Sequence, residues 1–135
     1  MIALDTSALM KRYVDEPGTD IVRRAMHEDP AWAASSLARS EAQVSLCHRG
    51  PEGETGSRSQ RDLAEDWDRF LAVPIDAACL ALTAEIGCTH RVRTLEAIHL
   101  AAALRLPGPV SFLSFDRRQS EAAEALGLDV VTTDA

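Results

Sequence analysis

An α/β fold, with helices packed on a mostly parallel central sheet, is what this sequence predicts. Short apolar runs alternate with segments of helical spacing, no hairpin signal joins two of the runs, and Gly or Pro breaks stand between segments. Strands always separated by helices pair in parallel through crossover connections. In such sheets ligands bind beyond the carboxyl ends of the strands, so charged residues there are the first candidates for chemistry.

Ile2-Ala3-Leu4 is a short apolar strand ending at Asp5, and residues 7–14 read as a helix. Pro17-Gly18 breaks it. Residues 19–27 carry helical spacing at Ile21, Val22, Ala25 and Met26. After Pro30, Ala31-Trp32-Ala33-Ala34 reads as a buried strand, and Ser35 or Ser36 caps a helix running to about residue 48. Segment 49–57 (RGPEGETGS) is a loop by composition. Residues 58–71 form an amphipathic helix holding Leu63, Trp67 and Phe70, and Val73-Pro74-Ile75 reads as a short strand. Asp76 caps a helix to about residue 86; Thr94 caps another, 95–106, which Pro107-Gly108-Pro109 ends. Residues 110–115 are the strongest strand signal. A helix over 117–126 follows with Gly127 at its C′ position, then a last strand, 129–132.

At 135 residues, 46% apolar and 26% charged, the chain is expected to be one soluble domain, 1–135, with a core of its own. It has no run of about 18 apolar residues for a membrane span, and its start, MIALDTSALMKRY, lacks the pattern of a signal peptide. Cys47, Cys79 and Cys88 are odd in number and lack CxxC spacing, which suits reduced thiols in the cytoplasm. Neither Cys47-His48 nor Cys88-Thr89-His90 has the matching half that a zinc site needs. A formal net charge of −7 argues against bulk attraction to nucleic acid and suits an acid cluster that a cation neutralises. Lys11 is the only lysine, so the positive charge is almost all arginine, which can grip phosphate bidentately.

Asp5 and Asp116 each close a strand that should be central, so their carboxylates can lie close together. Each also has a structural use: Asp5 can begin the turn into a helix, and Asp116 with Gln119 matches a capping box. Glu41 lies too deep in its helix to be a cap and shares a face with Leu37 and Val44. Such a carboxylate either needs a partner or cation, or is solvated at the edge of the stripe. Glu96, in the first turn after Thr94, reads from position alone as a favourable N-terminal glutamate. His99, beside Leu95, Ile98 and Ala102, reads as a hydrogen-bonded core histidine in preference to a metal ligand.

Four segments then share one resemblance: IALDTSAL from Ile2, SSLARSE from Ser35 to Glu41, RTLEAIHLAAAL from Arg93, and FLSFDRR from Phe112, the last followed by Ala122-Ala123 and Gly127-Leu128. In order and spacing, across the whole chain, they resemble PIN domains, and within them the VapC toxins of bacterial toxin–antitoxin pairs. The resemblance implies a three-layer α/β/α sandwich in which Asp5, Glu41, Glu96 and Asp116 converge at the strand ends. It further implies an endoribonuclease, a homodimer, and a groove filled by the tail of an antitoxin. One position departs from the pattern: the third acid is usually aspartate, and here Glu96 carries its carboxylate one methylene further from the backbone.

Two like charges about 4 Å apart repel by roughly 4 kcal/mol at an effective dielectric near 20. A gathered acid set is therefore expected to bind Mg²⁺ or Mn²⁺, which activates water for in-line attack on a phosphodiester of RNA. Asp5 and Asp116 are expected to hold the main ion, with Glu41 and Glu96 orienting it or the water. Thr6, Ser7 and Ser114 bear hydroxyls near the same strand ends, available to a carboxylate or a substrate phosphate; capping is an equal use for Ser7. Arg39, Arg93 and Arg117 each lie within three residues of an acid, within reach of an RNA backbone. Tyr13, Trp32 and the helix over 58–71 are candidates for partner contacts. The alternative is a weakened PIN domain that only binds RNA or antitoxin, and Glu96 is the feature that favours it. A haloacid dehalogenase-type phosphatase needs a second aspartate where Ser7 stands, and a nucleotide binder needs a Gly-rich phosphate loop that the sequence lacks.

Overall fold

The computed structural model describes residues 1–49 and 54–133. Strands β1 (Ile2–Leu4), β2 (Trp32–Ser35), β3 (Leu71–Val73), β4 (Ser111–Leu113) and β5 (Asp129–Val130) form a five-stranded sheet in the order β3-β2-β1-β4-β5. Every pair is parallel, as the helix-separated pattern requires. The chain builds outward from β1 through β2 to β3, then crosses back to place β4 on the other side of β1. Strand order therefore reverses between β1 and β4, and a crevice opens at their carboxyl ends.

Alternation along the strands sorts the core into two layers. Ile2 and Leu4 of β1 face a cluster with Leu9, Val22, Ala38 and Leu63. These come from α1 (Thr6–Tyr13), α2 (Thr19–Glu28), α3 (Ser36–Arg49) and α4 (Glu54–Trp67). Ala3, between them, faces the opposite cluster with Phe112, Ile86, Leu100 and Ala123. There the helices are α5 (Ala77–His90), α6 (Thr94–Leu104) and α7 (Arg117–Ala125). The architecture is the three-layer α/β/α sandwich.

Several boundaries move from their expected places. The strand expected at 73–75 forms at Leu71–Val73, because Pro74 has no N–H for the ladder. Helix α4 begins at Glu54, inside the expected loop, of which residues 50–53 lie outside the described residues. Its packing on α3, including Gln60 Nε2 donating to the Gln43 carbonyl at 3.0 Å, outweighs the local turn composition. The cap of α6 is Arg93, with Thr94 the first helical residue. After β4 the ladder stops at Leu113, and Ser114 turns its side chain to Asp5.

Gly127 ends α7 as expected, with φ +90°, Leu128 N–H on the Ala123 carbonyl and Gly127 N–H on the Glu124 carbonyl, each at 3.0 Å. Gly18 caps α2 at φ +100°, where an added Cβ would stand 2.6 Å from Phe115 Cε1. Strain and clash act together there. Gly18→Ala is expected to destabilise the fold by more than about 1 kcal/mol in a urea titration, and an unchanged midpoint would refute the constraint.

Trp32 belongs to the core and not to a contact surface. It is 4% exposed, its Nε1 donates to the Met26 and Asp29 carbonyls, and the guanidiniums of Arg12 and Arg69 cover its ring. Tyr13 is half-buried, and its hydroxyl donates to Asp66 at 2.7 Å, an oxygen that also accepts from Arg12 Nε. Burial and the neighbouring Asp66 push its phenol well above the ordinary range. The hollow of about 550 Å³ beside these residues, between α1, α2 and α4, thus has one of its three acids, Asp66, already engaged.

Candidate active site

A cavity of about 410 Å³ opens at the carboxyl ends of β1 and β4, and Asp5, Glu41, Glu96 and Asp116 all line it. Asp5 follows β1 and caps α1, with Oδ1 accepting the Ala8 N–H at 2.9 Å. The capping use and the site position therefore coincide in one residue. Ser7 Oγ lies 2.7 Å from Oδ1 and 2.9 Å from Oδ2, and Ser114 Oγ donates to Oδ2 at 2.6 Å. Asp5 is only 3% exposed. Burial raises its carboxyl above the ordinary value of 3.8, against the opposing pull of Ser114, Ala8, Ser7 and His99.

Asp116 caps α7 through Oδ1, which accepts the Gln119 N–H at 2.9 Å. The expected capping box forms only by half. The Asp116 N–H goes to Ser114 Oγ at 3.0 Å, and the Gln119 side chain turns inward, donating to the Glu96 carbonyl at 3.0 Å. Gln119, 1% exposed, is a member of the site that sequence reasoning did not single out. Reading it as a cap hid its buried role.

Glu41 reaches the cavity from α3, but its neighbours differ from those inferred. Val44 is exposed, and the core face of α3 is Ala38, Ala42 and Leu46, leaving Glu41 half-buried at its edge. Its Oε1 accepts from Thr6 Oγ1 at 2.6 Å and lies 2.9 Å from His99 Nε2. The His99 hydrogen bond chiefly holds the Glu41 carboxyl below the ordinary range, against the effect of burial. His99 is hydrogen-bonded and buried, as expected of a core histidine, yet it also lines the cavity. Its position one turn beyond Glu96 was the available signal.

Glu96 turns its carboxylate back on its own helix: Oε2 accepts the Arg93 N–H at 3.0 Å, and Oε1 lies 3.6 Å from Arg93 Nε. The extra methylene permits this fold-back. Among the described residues, no three His, Cys, Asp or Glu side chains close up as an ion-holding group. The four acids share one cavity without forming a tight cluster.

Of the hydroxyls, Thr6, Ser7 and Ser114 all bond to carboxylates. Ser114 is fully buried and is not part of the cavity wall. Of the arginines, Arg93 stands on the rim with its side chain 88% exposed. Arg117 points away, 92% exposed, and pairs with Glu121 at 3.2 Å. Arg39 is half-buried on α3 and is not part of the cavity wall.

The PIN domain family model matches residues 2–134. The chain belongs to the PIN-domain family. This PIN domain is 34% identical over 131 residues to Ribonuclease VapC46 of Mycobacterium tuberculosis, covering 96% of this chain and 95% of that protein. It is also 34% identical over 137 residues to Ribonuclease VapC35 of the same organism, covering 97% and 96%. Its fold superposes on FitAcB from Neisseria gonorrhoeae with a TM-score of 0.76 at 17% identity, over 98% of each chain. A toxin–antitoxin complex from Klebsiella pneumoniae matches with a TM-score of 0.70 at 14% identity, over 99% of this PIN domain and 98% of that chain.

Proposed function

We propose that this chain is an endoribonuclease of the VapC type, the toxin of a toxin–antitoxin pair, working through Mg²⁺ or Mn²⁺. The observation that carries the reading is the shared cavity at the reversal of strand order, lined by Asp5, Glu41, Glu96 and Asp116. Full-length relatives named as VapC ribonucleases support it. The donor set fits a hard divalent cation: it is all carboxylate oxygen, and one member, Asp5, is buried with its charged form disfavoured. Asp5 and Asp116 are the residues to hold the ion, with Glu41 and Glu96 beside them. The chemistry such an ion supplies is Lewis acidity, which acidifies water and neutralises charge on a phosphodiester.

The remaining work falls to the chain itself. Ser7 and Ser114 hold the Asp5 carboxylate from two sides, and Thr6 holds that of Glu41, so neither has to reorganise when substrate arrives. Arg93 on the rim offers a guanidinium to the RNA backbone, with Thr6 and Ser7 further in. Arg39 and Arg117 stand outside the cavity wall and serve, on this reading, only an extended RNA track. The same reading makes the protein a single PIN domain over 1–135, cytoplasmic and homodimeric, with an antitoxin tail that blocks the acids. Among the described residues, no helix is long and apolar enough to cross a membrane.

The test is cleavage of a total cellular RNA pool by purified, antitoxin-free protein. Discrete cuts are expected with Mg²⁺ or Mn²⁺, and they should vanish with EDTA and in Asp116→Asn. Metal-loaded protein that leaves the pool intact would sink the reading.

A second reading, a weakened domain that binds RNA or antitoxin without cutting, draws on the engagement of Glu96 by Arg93. Glu96→Asp separates the two. The shorter arm is expected to raise cleavage at least tenfold if the site has decayed, about 1.4 kcal/mol of barrier, and to change it less than twofold if glutamate serves.

A further inference from the structure

His99 of α6 is 6% exposed, and its two ring nitrogens face partners of different chemistry. Nε2 lies 2.9 Å from Glu41 Oε1 and 3.3 Å from Thr6 Oγ1, while Nδ1 lies 3.0 Å from Ser35 Oγ. A carboxylate only accepts, so the nitrogen facing Glu41 must carry a proton. Thr6 donates to the same carboxylate oxygen at 2.6 Å. Ser35, at the end of β2, is 1% exposed, and among the described residues its hydroxyl hydrogen-bonds only to His99. Donation from Ser35 to Nδ1 satisfies every group of the chain at once: Ser35 O–H to Nδ1, Nε2–H to Oε1, Thr6 O–H to Oε1. Both donors then converge on one oxygen. Glu41 Oε2 has no hydrogen-bond partner among the described residues.

We propose that His99 is a positioning residue for Glu41, held by Ser35 in its Nε2–H tautomer, so that Oε1 is anchored and Oε2 is presented to whatever the cavity binds. The inference rests on the reading that Glu41 belongs to the metal-binding set. It assigns Ser35 and His99 work on the site although neither has to touch substrate. The network joins the end of β2 to α1, α3 and α6, so the orientation of Glu41 is set by three other elements of the fold.

The experiment combines ¹⁵N imidazole NMR on the metal-free protein at neutral pH with Mn²⁺ titration and steady-state cleavage. The variants are His99→Leu, His99→Gln, Ser35→Ala and Glu41→Gln. In the parent, His99 should show a protonated Nε2 and a bare Nδ1, and Ser35→Ala should mix in the other tautomer. His99→Leu should weaken Mn²⁺ binding by on the order of ten- to a hundredfold and lower kcat with KM little changed. His99→Gln, whose amide can still donate to Glu41, should recover most of both. A proton on Nδ1 in the parent, or a folded His99→Leu that binds Mn²⁺ like the parent, overturns the proposal. If Glu41→Gln itself leaves Mn²⁺ affinity and cleavage unchanged, it is the role of Glu41 that fails, and the positioning role falls with it. Should His99→Leu not fold, the parent spectrum and the contrast between His99→Gln and Ser35→Ala still decide.

Discussion

Asp5→Asn is expected to lower RNA cleavage by on the order of 10²–10³-fold while the melting temperature stays within a few degrees of the parent. The two effects separate because Asp5 has two jobs that asparagine performs unequally. As the cap of α1 it accepts the Ala8 N–H at 2.9 Å, and asparagine caps about as well as aspartate. The hydroxyls of Ser7 and Ser114 can rotate to meet an amide, so no buried group need be left without a partner. As the buried carboxylate of the cavity, however, its charge has no substitute in asparagine. Burial also gives the variant a second signature. Because the folded-state pKa is raised, the metal-free native protein holds this proton at pH values where the unfolded chain has released it. Stability therefore falls as pH rises from the ordinary value of 3.8 through the raised one. The amide of the variant has no such proton, so its stability should be flatter across that window in EDTA. A variant that cuts RNA at a rate within tenfold of the parent would remove Asp5 from the chemistry.

Phe112→Ala is expected to cost about 3–5 kcal/mol, enough to leave much of the protein unfolded if its total stability is near the low end of the usual range. Phe112 is 0% exposed, on the strand between β1 and β5. Six of the twelve buried residues of its cluster are alanine (Ala3, Ala97, Ala101, Ala103, Ala122 and Ala123), beside larger members such as Ile86 and Leu100. Alanines have no rotamer with which to swing into a void, so the alanine half of the cluster limits how far the cavity can close. Urea unfolding followed by far-ultraviolet circular dichroism reads it out. A loss below about 1 kcal/mol would mean that the layer closes almost fully over the void. The same substitution should depress cleavage, since β4 leads directly into Ser114 and Asp116.

The alternation of strand and helix, the parallel sheet and the central placement of the Asp5 and Asp116 strands were legible from local pattern alone. Period-2 and 3.6-residue spacing are properties of the chain itself, and helix-separated strands have few ways to pair. The four acids were not: local pattern left each with a structural use, and only the resemblance of their segments to PIN domains grouped Asp5, Glu41, Glu96 and Asp116. The directions in which those acids point were not legible. Gln119 had the spacing of a capping residue, yet its side chain turned to the Glu96 carbonyl across 23 residues of sequence. Glu41 stood out through an apolar stripe that the fold does not bury, since Val44 is exposed. Ser35 read as a cap and became the partner of His99, 64 residues away. In each case contact with a distant element, not local spacing, set what the side chain does. The layers needed nothing beyond the order of residues, because they follow from short-range periodicity, whereas the set of four acids came from the resemblance of their segments to a known family. Which oxygen of each acid is engaged, and which of the arginines reaches the rim, had to wait for the folded chain, because those depend on hydrogen bonds and burial between elements far apart in sequence.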